Sequence, residues 1–246
     1  MSPVVLYLAL CAAGLAQESA YQREMAAGEK ALADPETAAE AEPHFRSAAA
    51  SAATPLERAN ALDWLGLTLQ NRNTQDIEAL KTAVEPLYLE SIQLQRSHGA
   101  TRTRDFALAL ELHAGLLDQT GRSEEAATER TQAAEIRKAL FGDNGEWPPP
   151  GAYRVGSGIT APRIIEKKEP EYDSLARAAK RQATVVVNLL IDEQGQPARF
   201  RLVRSAGLGL DEKALAAVRE WRFEPATKDG KPVPILAQIE VNFRLL

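Results

Sequence analysis

The chain has 246 residues, 45% of them apolar, with 29 Lys and Arg against 34 Asp and Glu for a net charge of −5, and a single cysteine, Cys11. Length and composition suit two small globular domains rather than a fibrous or disordered chain, and one cysteine excludes an intrachain disulfide. The charge is uneven: residues 152–246 carry 16 Lys and Arg against 12 Asp and Glu, a net +4, while residues 1–151 carry −9. The basic part suits anionic envelope polymers such as peptidoglycan, and the acidic part suits basic or neutral partners. No motif points to nucleic acid.

Residues 4–13 are an apolar run followed by Gly14-Leu15-Ala16. This is the pattern of a secretory signal peptide, cleaved after Ala16, and it is too short for a membrane span. The n-region has no Lys or Arg. Leu8-Ala9-Leu10-Cys11 faintly resembles a lipobox, but Leu10 is large for the position before the cysteine. Cleavage after Ala16 would release a periplasmic chain without cysteine and without an N-terminal span.

Residues 17–142 are rich in Ala, Leu, Glu, Gln and Arg at helical spacing. The segment Ala41-Glu42-Pro43-His44-Phe45 recurs as Val84-Glu85-Pro86-Leu87-Tyr88, and Ala126 opens a third, degenerate copy. Pro43 and Pro86 fit the first turn of a helix, where a missing N–H costs little. Leu65-Gly66-Leu67-Thr68-Leu69 and Ala114-Gly115-Leu116-Leu117 precede the last two copies, with small residues that let a paired helix approach. Phe45 and Tyr88 then fill the space between pairs, and Arg130 or Thr131 takes that place in the third copy, as suits a polar terminal helix. In period and wording the region resembles long tetratricopeptide repeats of the kinesin light chain type. The resemblance implies an all-α array of about three helix pairs, with a groove for a peptide or protein.

Trp147-Pro148-Pro149-Pro150-Gly151 cannot continue a helix, so residues 143–157 read as a Pro/Gly linker between separately folding parts, and residues 158–246 as the second domain. In that domain Asp173 or Ser174 caps a helix reaching about Arg181. Residues 184–191 form a nearly continuous apolar strand, interrupted by Asn188, as expected of a central strand. Asp192-Glu193-Gln194-Gly195-Gln196-Pro197 is a hairpin turn with Gly195 free to take positive φ. Residues 199–204 alternate, with Phe200 and Leu202 on one side. Residues 211–221 put Ala214, Leu215, Val218 and Trp221 on one helical face. In the last strand Ile235, Ala237, Ile239, Val241 and Phe243 alternate with Leu236, Gln238, Glu240 and Asn242. The order is helix-strand-strand-helix-strand. It makes a small α+β domain with a three-stranded antiparallel sheet whose last strand is an edge.

Pro170-Glu171-Tyr172, the Thr-Val-Val run from Thr184, Leu208-Gly209-Leu210-Asp211-Glu212 and Glu220-Trp221-Arg222-Phe223-Glu224-Pro225 together resemble the C-terminal domain of the TonB family. One departure is Ala183, where the family usually has Gly. The resemblance implies a periplasmic, non-enzymatic protein of transmembrane transport. Such a domain would take a segment of an outer-membrane transporter, or of another envelope protein, as an added strand on the edge formed by Ile235, Leu236, Ala237, Gln238, Ile239, Glu240, Val241, Asn242 and Phe243. The alternative is a periplasmic scaffold that binds peptidoglycan or assembly partners without a transporter client.

Nothing in the sequence points to chemistry. His44, His98 and His113 lie far apart, without Cys or acidic partners at ligand spacing, so no metal or cofactor is expected. No Ser-His-Asp or Cys-His set is evident. Gly156-Ser157-Gly158 matches a dinucleotide pattern on paper, but no strand precedes it, and it reads as a flexible lead-in.

Overall fold

The computed structural model describes residues 18–141, 145–156 and 158–245. Residues 1–16 with Cys11, on which the signal-peptide expectation rests, and Gly142, Asp143, Asn144 and Ser157 of the expected linker, lie outside the described residues.

Three of the long helices start where a side chain satisfies free N–H groups. α1 (Ala20–Ala33) and α3 (Pro55–Arg72) open with reciprocal capping boxes, Ser19 with Gln22 and Thr54 with Glu57. α6 (Arg104–Gln119) is capped by Thr103. α2 (Ala41–Ser51) pairs with α1, α5 (Glu85–Ser97) with α3, and α7 (Ser123–Phe141) with α6; a short α4 (Ile77–Ala79) leads through one π-helical turn into α5. Pro43 and Pro86 fall in the first turns of α2 and α5 as the sequence implies.

The repeated positions are packing positions. Phe45 lies on Gly28, where an added Cβ would come within 2.6 Å of its ring, and Tyr88 lies on Gly66, where the approach would be 2.5 Å. Phe45 also stacks on Trp64 of the next pair at 5.4 Å. In the third pair Arg130 takes the aromatic place. Its Nη2 donates to the Ala114 carbonyl at 3.4 Å, and it pairs with Asp118. Ala41, Val84 and Ala126, the opening residues of the three copies, are all fully buried.

The second part holds β1 (Arg163–Glu166), α8 (Ser174–Ala178), β2 (Ala183–Ile191), β3 (Pro197–Arg204), α9 (Leu210–Arg219), β4 (Arg222–Glu224), β5 (Thr227–Lys228), β6 (Lys231–Pro232) and β7 (Ile235–Phe243). Its main sheet has the order β3-β2-β7, antiparallel at both contacts, so the continuous apolar strand is central and β7 is an edge. Gly195 turns the β2–β3 hairpin at φ 76°, and its carbonyl accepts from Phe223 N–H at 2.9 Å. Any side chain there would strike the Phe223 carbonyl, only 1.9 Å from an added Cβ.

Four features depart from the sequence reading. Two small antiparallel pairs, β1 with β4 and β5 with β6, flank the main sheet. They are too short for any periodicity to announce them. α8 ends at Ala178 rather than near Arg181, and Lys180 turns the chain at φ 50°. Lys180 therefore supplies the left-handed residue of the helix-to-strand junction, which leaves Ala183 free to begin β2 as ordinary strand. The segment around Gly156 is pinned rather than a flexible lead-in: Ile159 N–H donates to the Gly156 carbonyl, and Thr160 N–H to the Thr227 carbonyl at 3.0 Å. Finally, the segment read as a stiff Pro/Gly link is bonded to the sheet at both ends. The Glu146 carbonyl accepts from Arg199 of β3, and Tyr153 bonds beside β7. Arg199, Leu190 and Leu236 share one row of the sheet, so this segment runs from one edge strand to the other.

The two parts also touch. α1, α3 and α6, the first helices of the three pairs, face α8 and the loop 205–209. Asn71 donates to the Ala178 carbonyl at 2.9 Å, and Glu111 accepts from Leu208 N–H at 2.7 Å. At the centre lies Arg137 of α7, with no exposed side-chain surface. It makes a two-pronged pair with Glu111 at 2.7 and 2.8 Å and reaches Glu212 of α9 at 3.0 Å, with Asp211 at 3.7 Å. Burial alone would lower the Arg137 pKa, but Glu111, Glu212 and Asp211 outweigh it and hold the guanidinium above its ordinary value. Arg104 adds a second tie to Glu212, at 3.0 Å.

Candidate functional site

Ile235, Leu236, Ala237, Gln238, Ile239, Glu240, Val241, Asn242 and Phe243 form one continuous strand, β7, in unbroken register with β2 from Ile191↔Ile235 to Ala183↔Phe243. Ile235, Val241 and Phe243 are buried, and Gln238, Glu240 and Asn242 are exposed, the alternation read in the sequence. Phe243 is held from the side by Tyr172, edge-on with ring centroids 5.5 Å apart.

The backbone divides the strand a second way. Leu236 N–H donates outward to the Tyr153 carbonyl at 2.8 Å, and Tyr153 N–H donates to the Pro234 carbonyl at 2.9 Å. Because successive peptide groups of a strand point to opposite sides, Gln238, Glu240 and Asn242 also turn their N–H and C=O away from β2. No strand pairs with those groups among the described residues. Ala237, Ile239 and Val241 spend theirs on β2. The nine candidate residues thus have different parts: the even positions beyond Leu236 offer backbone groups, and the odd ones hold the strand to the core.

Asn242 is further fixed by its side chain, whose Oδ1 accepts from Thr184 Oγ1 at 2.6 Å. Sequence reading missed Tyr153, which closes the N-terminal end of the edge. Its only signal was an isolated aromatic residue after a proline run, and a single bridging residue carries no periodicity.

The loop after β3 is shaped from below by Asp211, fully buried at the start of α9, whose carboxylate accepts from Ser205 Oγ at 2.5 Å and from Ala206 N–H at 2.8 Å. Gly207 and Gly209 both take positive φ; an added Cβ would meet Glu111 at 2.6 Å and Asp173 at 2.3 Å respectively. The sequence placed Asp211 at the helix N-terminus. Its role as organiser of a loop docked on the helical part needed the fold.

Residues 168–245 match the family model described as Gram-negative bacterial TonB protein C-terminal. This segment is a TonB C-terminal domain. Protein TonB of Vibrio cholerae serotype O1 is 33% identical over 100 residues, covering 37% of this chain and 41% of that protein. Protein tonB2 of Pseudomonas aeruginosa is 28% identical over 82 residues, covering 33% of this chain and 30% of that protein. The chain therefore spans less than half the length of either relative. The solution structure of the Pseudomonas aeruginosa TonB C-terminal domain aligns with 38% of this chain and 96% of its own, at 21% identity and a TM-score of 0.29.

Among the described residues no helix is long and apolar enough to cross a membrane, and no group of three or more His, Cys, Asp or Glu could hold a metal ion.

Proposed function

We propose that this chain is an exported, non-enzymatic adapter of the bacterial envelope. Its TonB C-terminal domain takes an extended segment of an outer-membrane transporter, or of another envelope protein, as an added strand on β7. The helical part serves as a tetratricopeptide-like carrier that holds the domain in place. The single observation behind this reading is the row of outward backbone groups at Gln238, Glu240 and Asn242, on a strand otherwise locked to the core. An incoming strand satisfies those groups by main-chain pairing, which gives affinity with little sequence demand. The exposed side chains of Gln238, Glu240 and Asn242 then tune the choice.

Tyr153 sets the limit of the site. With Leu236 already paired, an added strand begins beside Ala237 and runs toward Arg244. The face of α1, α3 and α6 that would otherwise be open to a peptide or protein carries the chain's own C-terminal domain, so other clients of that face would have to share it.

The test uses the full chain and synthetic peptides from periplasm-facing segments of outer-membrane transporters. Gln238→Pro and Asn242→Pro each remove one outward donor and are expected to lower affinity at least about tenfold while the fold, followed by circular dichroism, is kept. Undiminished binding by both folded variants excludes this edge. Weight then moves to a periplasmic scaffold that binds peptidoglycan or assembly partners, which cell-wall fragments retained by the chain would reveal.

A further inference from the structure

Between α3 and α6 on one side and the residues following α8 and β3 on the other lies a cavity of about 330 Å³. Its floor is apolar, with Leu67 and Leu112, and its walls carry hydrogen-bonding groups from both parts of the molecule. Gly115 of α6 keeps it open: a Cβ placed there would meet nothing nearer than Gln70 Nε2, at 3.9 Å.

The polar groups on the walls are only partly used. Arg181 spends Nε on the Ala206 carbonyl at 3.2 Å and has no carboxylate partner among the described residues. The other cation on the wall, Arg130, is matched by Asp118, and the acid Glu111 is matched by Arg137. Asn71 gives its Nδ2 to the Ala178 carbonyl, so its Oδ1 is left to accept. Gln119 accepts from Gln70 at 3.0 Å through Oε1, so its Nε2 is left to donate.

We propose that this cavity binds the end of a short peptide carrying a free α-carboxylate. The carboxylate pairs with the guanidinium nitrogens that Arg181 leaves unused, a charge-assisted contact that a neutral group cannot replace. A peptide N–H donates to Asn71, a peptide carbonyl accepts from Gln119, and small side chains lie on Leu67 and Leu112. The volume is at the lower end of ligand pockets and suits two or three small residues. Because Arg181 belongs to the TonB C-terminal domain while Asn71 and Gln119 belong to the helices, the ligand bridges the two parts and tightens their docking. The inference is independent of strand addition on β7.

Calorimetric titration of the full chain with acetyl-Ala-Ala, and with the same peptide amidated at its C-terminus, tests it. The acid is expected to bind at least about tenfold more tightly than the amide and to raise the unfolding temperature, while the amide does not. Arg181→Gln should bring the two peptides to equal, weak affinity. Gly115→Leu, which fills the cavity from a helix position without positive φ, should abolish binding of both. Failure of acetyl-Ala-Ala to bind at millimolar concentration, equal binding of acid and amide, or unchanged affinity in a folded Gly115→Leu chain would each overturn the proposal. If Gly115→Leu does not fold, Arg181→Gln, an exposed change, carries the test.

Discussion

The helical array and the β7 edge use repeated spacing to opposite ends. In the array every repeated position is closed by a partner within the chain: Phe45 on Gly28, Tyr88 on Gly66, Arg130 on Ala114. In β7 the period-2 pattern closes one side and leaves the other open, at Gln238, Glu240 and Asn242. A residue that recurs because something fills the space against it is architectural. One that recurs with its backbone turned outward is available to a partner. Substitutions of the first kind should therefore change stability, and those of the second kind binding.

The largest effect is expected at Gly66. Gly66→Leu drives a side chain into the Tyr88 ring, 2.5 Å from where its Cβ would sit, inside a fully buried contact. A loss of about 3 kcal/mol or more by urea unfolding is expected. A near-neutral Gly66→Leu would break the claim that this pairing builds the array.

Next is Arg137. Arg137→Met leaves Glu111 and the fully buried Asp211 without their cation and Glu212 with Arg104 alone, and should cost about 3 kcal/mol, read by chemical unfolding. Adding Glu111→Gln should restore part of that loss, and a double-mutant cycle gives the coupling directly. If the two changes simply add, the docking of the parts does not depend on this network.

Asp63 provides a third and smaller test. It is fully buried on α3, bonded to Ser91, with Oδ1 unpartnered among the described residues, and burial pushes its pKa well above the usual carboxylate range. A carboxyl whose folded pKa is raised binds its proton more tightly folded than unfolded. Its contribution is therefore most favourable below the unfolded pKa, and stability falls as pH rises from there toward the folded pKa. Asp63→Asn should stabilise the chain at pH 7, with the gain shrinking as the pH is lowered toward the ordinary carboxylate range, read by urea unfolding at several pH values. A pH-independent difference would contradict it.

The smallest effect belongs to the surface. Arg163 and Glu224 pair across β1 and β4 at 2.7 Å, but both are largely exposed. Arg163→Ala should change stability by less than about 0.5 kcal/mol in thermal unfolding. A larger effect would mean that this short ladder matters to the domain beyond its two exposed side chains.

Much of this molecule was legible in the sequence, because period and composition report directly on which face of an element is buried. The spacing of Ala41-Glu42-Pro43-His44-Phe45 and Val84-Glu85-Pro86-Leu87-Tyr88 found the helix pairs. The unbroken apolar run of β2 made it the central strand, which with the order of elements left β7 an edge, the alternation in β7 gave its buried face, and Gly195 fixed the hairpin. What stayed hidden depends on contacts between residues far apart in the chain: β1 with β4, Tyr153 at the end of β7, Arg137 between Glu111 and Glu212, and the cavity opened by Gly115. None of these has a local period. A buried arginine looks like any surface arginine in a helical sequence, and a bridging tyrosine looks like any loop residue. Sequence determines the elements through local propensity and burial pattern. Which of their polar groups become satisfied, and which remain open to a partner, is decided only when the tertiary structure brings distant segments within hydrogen-bond reach.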